Sequence, residues 1–227
     1  MTKKTAVNPT TDENGVANAL QVVVDSLIAN AHTKTEAANF FGTAERVARM
    51  YTELSWSPTR MADELNAILN TTFPVDESEE AGMVVQGPIV VNSCCPHHLV
   101  FVRYHAYVGY LPKEDNNVLG LSKLARIPDV LSHRFVLQEQ LAKDIADALY
   151  SPARLAVMKM FGYKPAFETE GSIALLVGVH CCEACRGVRQ DARTMVTERR
   201  GAFRDETMES RFMQAVSIVR AERPFGG

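Results

Sequence analysis

No run of about 18 apolar residues occurs in this 227-residue chain, which excludes a membrane-spanning helix of ordinary length. The opening stretch MTKKTAVNPTTDENG lacks the apolar segment of a secretory signal, so a cytoplasmic location is the default expectation. Net charge is also small: 24 Lys and Arg against 27 Asp and Glu give −3. That balance argues against a broad electrostatic footprint for DNA or RNA, while leaving room for a local basic pocket that takes a small anion. Cysteine is limited to five, bunched as Cys94-Cys95 and Cys181-Cys182 with Cys185, which is unlike a disulfide framework spread through a small secreted domain. There is no internal repeat and no low-complexity segment. What is present, 46% apolar and 22% charged residues, is the balance of a soluble globular protein able to bury a core.

The first dozen polar residues predict a loosely tied start. Helical spacing follows over Val16 to Ala31 and Gly42 to Leu54, and Ser57-Pro58 reads as N-cap and first position of a third helix. After the acidic turn Asp76 to Glu80, MVVQGPIVVNSC and LVFVRYHAYVGYLP read as strands flanking a Cys/His loop. A polar turn at Lys113 to Asn117 leads to GLSKLARIPDVL, a helix capped by Ser122 and interrupted near Pro128, and then to a longer helix over Arg134 to Leu149. GSIALLVGVHCC and CRGVRQDARTMVTER form a second strand pair, and DETMESRFMQAVSIV a closing helix. Strand pairs separated by a helical pair predict an α+β layer with an antiparallel sheet. The division expected is an N-terminal helical region over 1–80 and a sheet domain over 81–227, fused as one unit.

The stretch NSCCPHHLVF places Cys94, Cys95, His97 and His98 within five positions. Clustered thiols and imidazoles in such a chain favour metal or catalytic chemistry. Catalytic zinc takes three protein ligands and keeps a fourth position for water, whereas structural zinc is closed by four. Cys94-x-x-His97 and Cys95-x-x-His98 have equal spacing, so the loop alone leaves both open. If Ser172 to Cys182 is a strand, His180 and Cys182 share one face and Cys181 points to the other, towards the core. A rival reading makes Cys182-x-x-Cys185 half of a structural zinc site or a redox dithiol. That pair would prefer a helix start, and no second C-x-x-C exists to complete a ribbon.

Several motifs stand in one order: RVARMYTEL (Arg46 to Leu54), S-x-C-x-H-H-L (Ser93 to Leu99), GLSKLARI (Gly120 to Ile127), QEQL (Gln138 to Leu141), VHCC with RGV (Val179 to Val188) and GAF (Gly201 to Phe203). Together they resemble the GTP cyclohydrolase I family over roughly Gly42 to Val219. The resemblance implies an α+β T-fold (tunnelling fold): an antiparallel four-stranded sheet, two helices between strand pairs and an N-terminal helical region. It also implies hydrolysis of GTP at C8, with release of formate and formation of 7,8-dihydroneopterin triphosphate. This is the first step of pterin and folate (tetrahydrofolate) or of deazaguanine synthesis.

By the same resemblance Cys95, His98 and Cys182 hold Zn2+, and His97 and His180 transfer protons. Lys123 and Arg126, one helical turn apart near a helix N-terminus, suit phosphates. The family pattern adds Ser122 and Arg186 to them and brings Arg46 from a neighbouring subunit. Glu139, with Gln138 beside it, suits the guanine edge, because a carboxylate can accept from both N1–H and the 2-amino group. The expected partners are GTP and further copies of the chain, a decamer of two pentamers. Neither nucleic acid nor membrane is expected. The alternative is a catalytically silent purine or pterin binder on the same fold.

The chain departs from the family at Pro96, where Glu is usual, and at Tyr104, where Gly is usual. The segment Ser151 to Gly171 is longer than usual and suggests a short packed helix or a subunit contact. Glu198, Arg199 and Arg200 replace small or apolar residues.

Overall fold

The computed structural model describes residues 12–74, 82–113, 117–165 and 167–221. The expected loose start, the acidic turn at Asp76 to Glu80 and the centre of the turn at Lys113 to Asn117 lie outside those residues. The chain divides into two compact units, Met1–Pro58 and Thr59–Gly227. No helix among the described residues is long and apolar enough to cross a membrane.

The first unit contains α1 (Glu13–Ile28), α2 (Lys34–Ala38) and α3 (Thr43–Leu54). Thr33 starts α2 by accepting from the Glu36 amide (3.1 Å), while the Glu36 carboxylate accepts from the His32 amide (2.7 Å). The cap satisfies one amide of the first turn and the amide of the residue before the N-cap. Helices α1 and α3 pack together, with Val24, Ala44 and Ala48 buried. Gly42 enters α3 at φ 66°, a conformation that costs glycine little.

The second unit opens with α4 (Pro58–Leu69), whose Met61, Ala62, Leu65, Ile68 and Leu69 form one buried stripe. Next come β1 (Thr72–Phe73), β2 (Val84–Cys94), β3 (Phe101–Pro112), β4 (Val118–Leu119), α5 (Leu121–Ser132) and α6 (Gln138–Tyr150). They are followed by α7 (Ala156–Phe161), β5 (Thr169–His180), α8 (Cys181–Ala184), β6 (Thr194–Gly201) and α9 (Glu206–Ala221). β1 and β4 make a small separate ladder. The main sheet is antiparallel throughout, in the order β2-β3-β5-β6. Helices α5 and α6 separate its two strand pairs, as the T-fold requires.

Side-chain alternation along the strands divides the core into two layers. Ser172, with Tyr110 opposite it, faces α6, where its hydroxyl donates to the Ala146 carbonyl (2.6 Å). Tyr107, Ile173 and Leu175 face the other way and pack with Phe203, Phe212 and Val216. Gly109 leaves room for the Phe212 ring, which a Cβ there would meet at 2.9 Å.

Several boundaries differ from those expected; α1, for one, spans Glu13–Ile28 rather than Val16 to Ala31. α5 runs unbroken through Pro128, and its N-cap is Gly120, so Ser122 is not the cap. The missing amide at Pro128 costs about 3 kcal/mol, which burial of Leu124, Ile127, Val130 and Leu131 on the same helix offsets. α6 begins at Gln138 rather than Arg134, because Phe135 and Val136 remain extended and pair with Cys94 at the end of β2. β5 stops at His180, and Cys181–Ala184 turns into a helix. The last strand is confined to Thr194–Gly201.

The long segment after α6 carries a short packed helix, α7, with Leu155 and Met158 buried. Tyr163, just past it, donates to Asp63 of α4 (2.5 Å). Arg200 is buried, donating to Asp147 of α6 (2.6 Å) and to Glu198 (2.9 Å).

Candidate functional site

The site lies where β2 ends, β5 ends and α6 begins. Ser93 donates from its hydroxyl to the Arg134 carbonyl (2.7 Å), and the Val136 amide donates to the Cys94 carbonyl (3.2 Å). These bonds fix the end of β2 to the segment entering α6. Between β2 and β3 the chain makes one helical turn, with the Leu99 amide bonded to the Cys95 carbonyl (2.9 Å), and returns through Leu99 at φ 56°. Residues three apart on such a turn share a side. Accordingly Cys95 Sγ and His98 Nδ1 are 3.8 Å apart.

Cys182 reaches the same point from the other strand pair. It stands on the helical turn α8 and not on a strand, so the alternation expected for His180 and Cys182 does not apply. The turn, closed by the Cys185 amide on the Cys181 carbonyl (3.0 Å), swings Cys182 round instead. The donor atoms of Cys95, His98 and Cys182 all lie within 4.8 Å of one another. Two sulfurs and one imidazole nitrogen fit the borderline-soft preference of zinc, with ligands at roughly 2.0–2.3 Å. This cluster can therefore hold a metal ion. Burial, then proximity to Cys95, pushes the Cys182 thiol up, so the metal-free site keeps it protonated.

The remaining cysteines stand apart from that cluster. Cys94 is buried on β2 and its thiol is pushed up by burial, then by Cys95. Cys181, expected to face the core, is only half-buried, and Cys185 is exposed. Cys182 sits on a helical turn, so the preference of a redox dithiol for a helix start does not count against the Cys182-x-x-Cys185 pair. What separates the two cysteines is Cys182's place beside Cys95 and His98.

The cluster borders a cleft of about 250 Å³, also lined by Pro96, His97, Tyr104, Gln138, Glu139, His180 and Glu183. His180 ends β5 and is held by Gln138. The Gln138 amide nitrogen donates to the carbonyls of Leu176 and Thr194 (both 3.0 Å), so its Oε1 is left to accept from His180 Nε2 (2.8 Å). That fixes the proton on Nε2 and leaves Nδ1 as the acceptor in the neutral ring. Burial lowers the His180 pKa, opposed by the carboxylates of Glu183 and Glu139. Glu139 is exposed in the first turn of α6, where free amides favour a carboxylate. Gln138 beside it is buried, both ends of its amide engaged inside the protein.

The cationic residues are placed differently. Ser122, Lys123 and Arg126 lie in the first turns of α5, and Arg186 follows α8; none of the four lines the cleft. Arg186 is close enough to act electrostatically on Cys182. Arg46, in the first unit, donates to the Phe41 carbonyl and the Thr43 hydroxyl (both 2.9 Å). Glu183 and Tyr104 are among the lining residues to which the sequence gives no role. Glu183 carried a signal, lying between Cys182 and Cys185; Tyr104 was visible only as a departure from the family pattern.

The family profile of GTP cyclohydrolase I matches residues 20–217. Among curated proteins, GTP cyclohydrolase 1 of Streptomyces coelicolor is 35% identical over 180 residues, 79% of this chain and 78% of that protein. The namesake from Mycobacterium tuberculosis is 36% identical over 163 residues, 71% of each. A solved structure, the apo form of the archaeosine synthase QueF-Like, is 16% identical with a TM-score of 0.38, covering 55% of this chain and 98% of that one. That likeness is too slight to argue from. With its profile matched over most of its length and its relatives above 30% identity, the chain belongs to the GTP cyclohydrolase I family.

Proposed function

We propose that this protein is a zinc-dependent GTP cyclohydrolase I, hydrolysing GTP at C8 to formate and 7,8-dihydroneopterin triphosphate. The observation that carries the reading is the convergence of Cys95, His98 and Cys182 on a cleft that also holds two histidines and a free carboxylate. Zinc held by those three residues would supply a water activated near neutral pH and a counter-charge for the carbon under attack. Glu139 accepts from N1–H and the 2-amino group of guanine. Adenine presents neither donor pattern, and a site built on such hydrogen bonds discriminates by a factor of roughly 10⁴ or more. His180, with its proton fixed on Nε2, and His97 on the facing loop carry protons to and from the imidazole nitrogens as the ring opens. Gln138 serves by holding His180.

The triphosphate falls to Ser122, Lys123, Arg126 and Arg186, with Arg46 arriving from a neighbouring subunit of a cytoplasmic homo-oligomer, a decamer of two pentamers. Among the described residues β6 pairs with β5 alone, and β2 pairs with β3 and, beyond it, only through the short bridge of Cys94 to Phe135, which gives assembly a physical reason. The product would enter pterin and folate or deazaguanine synthesis.

The test is incubation with GTP, following formate release and pterin fluorescence. Release of both supports the reading; GTP bound without product would leave the silent binder instead. Cys95→Ser is expected to lose bound zinc and activity, whereas Cys94→Ser retains the metal by elemental analysis.

A further inference from the structure

The proposed reaction uses only one half of Cys182-x-x-Cys185. Cys182 belongs to the donor cluster, whereas Cys185 neither belongs to it nor lines the cleft. Cys182 is half-buried and Cys185 is exposed. Both stand on the same helical turn, Cys182 within α8 and Cys185 as its C-cap at φ −93° and ψ −18°, with the Cys185 amide on the Cys181 carbonyl (3.0 Å). On an α-helix, a rise of about 1.5 Å per residue and a radius of about 2.3 Å put the Cα atoms of residues three apart about 5 Å from one another. That lies inside the span of roughly 4.4–6.8 Å that a disulfide bridges. The Cβ atoms, about 5–6 Å apart on a regular turn, have to close to roughly 3.8 Å.

The backbone around Cys185 can supply that closure. Cys185 to Arg193 are exposed without a break, β6 begins only at Thr194, and the chain passes through Gly187 at φ 61° and Arg189 at φ 54°. Segments with few buried contacts open at low cost. Cys182 is the constrained partner, its sulfur within 4.8 Å of the donor atoms of Cys95 and His98. A metal is held by a thiolate, and a sulfur bonded to Cys185 is no longer one. Disulfide and metal therefore exclude each other at Cys182. Cys185, exposed and outside the cluster, is the thiol that an oxidant meets first.

Resting on the zinc reading above, we propose that Cys182 and Cys185 form a hydroperoxide-sensitive switch that unloads the metal site. The hydroperoxide oxidises the Cys185 thiol to a sulfenic acid; its O–O bond breaks, one oxygen goes to sulfur and the other leaves as alcohol or water. The Cys182 sulfur then attacks the sulfenic sulfur, the S–S bond forms, and the sulfenic oxygen departs as hydroxide, which takes up a proton to give water. Two electrons pass from the cysteine pair to the peroxide. Cys95 and His98 remain as two donors where a catalytic zinc site has three, and the ion is released. Reduction by a dithiol restores Cys182 and the site with it.

The experiment treats the zinc-loaded full-length protein with hydrogen peroxide. Zinc release is followed with a chromophoric chelator, and linked cysteines are mapped by mass spectrometry of non-reduced peptides. The wild type should lose its zinc, yield the Cys182–Cys185 link, and rebind zinc after treatment with dithiothreitol. Cys185→Ser should start with the same zinc content and keep it over the time in which the wild type is emptied. A variant emptied as fast as the wild type overturns the proposal. So does a link from Cys182 to Cys95, from Cys181 to Cys185, or between two chains. A loss of zinc that the dithiol fails to reverse also overturns it, marking oxidation beyond the sulfenic stage. A wild type that takes up no zinc overturns the metal reading and the unloading with it; mapping the link in that metal-free protein separates this failure from a pair that never forms.

Discussion

Both ends of the Gln138 amide are engaged, the nitrogen on Leu176 and Thr194 and the oxygen on His180. Alanine at this position would strand two carbonyls and free the imidazole to rotate. Misplacing a proton carrier by about 1 Å can cost on the order of 10²-fold in rate. Gln138→Ala should therefore lower kcat by about that factor, with KM and zinc content close to wild type. A rise in KM with kcat unchanged would instead place Gln138 against the substrate. The sequence paired Gln138 with Glu139 by adjacency, but neighbours in the first turn of a helix point about 100° apart. One turns into the sheet and the other towards solvent, and nothing in QEQL shows which. The donors were more legible: Cys95 and His98 were separated by one turn and needed only the choice of frame. Cys182 came from the family resemblance, and the strand alternation that agreed with it fails because the strand ends two residues earlier.

Buried charge ties the helical layer to the last strand. Arg200 and Asp147 are each about nine-tenths buried as side chains and bond at 2.6 Å, with Glu198 as the second partner of the guanidinium. Removing one member leaves the other uncompensated in a poorly solvated place. Arg200→Met should destabilise the protein by about 3–5 kcal/mol in urea unfolding, and the double change Arg200→Met with Asp147→Leu by clearly less. If the double variant proved as unstable as the single, packing rather than charge would be the cause. Elements were read well from sequence where apolar spacing alone decided, as in α3, α4 and the two strands flanking the Cys/His loop. They were misread where tertiary contacts overruled local preference. Pro128 remains helical because its neighbours are buried, and Phe135 to Leu137 stay out of the helix because Cys94 engages that segment.

On the scale of the whole second unit, one of the two core layers lies apart from the donor cluster. The layer around Tyr107, Ile173, Phe203 and Phe212 contains none of the cluster residues. Chelating the metal should therefore abolish formate release while leaving the far-ultraviolet circular dichroism spectrum essentially intact. Loss of that spectrum on chelation would mark the ion as structural. The α+β layering and the antiparallel sheet followed from the order of strand and helix patterns. The two-residue ladder of β1 and β4 did not, being too short to carry a period.

The cluster also measures how the strands are aligned. Cys95 and His98 belong to the β2–β3 hairpin, Cys182 follows β5, and β3 and β5 pair with Val102 opposite His180. A slip of two residues keeps every side chain on its proper face, so the alternation of faces does not oppose it. It would, however, carry Cys182 about 6.6 Å along the strand, beyond the reach of one ion. A bound metal thus acts as a gauge of alignment, stabilising the one pairing in which all three donors meet.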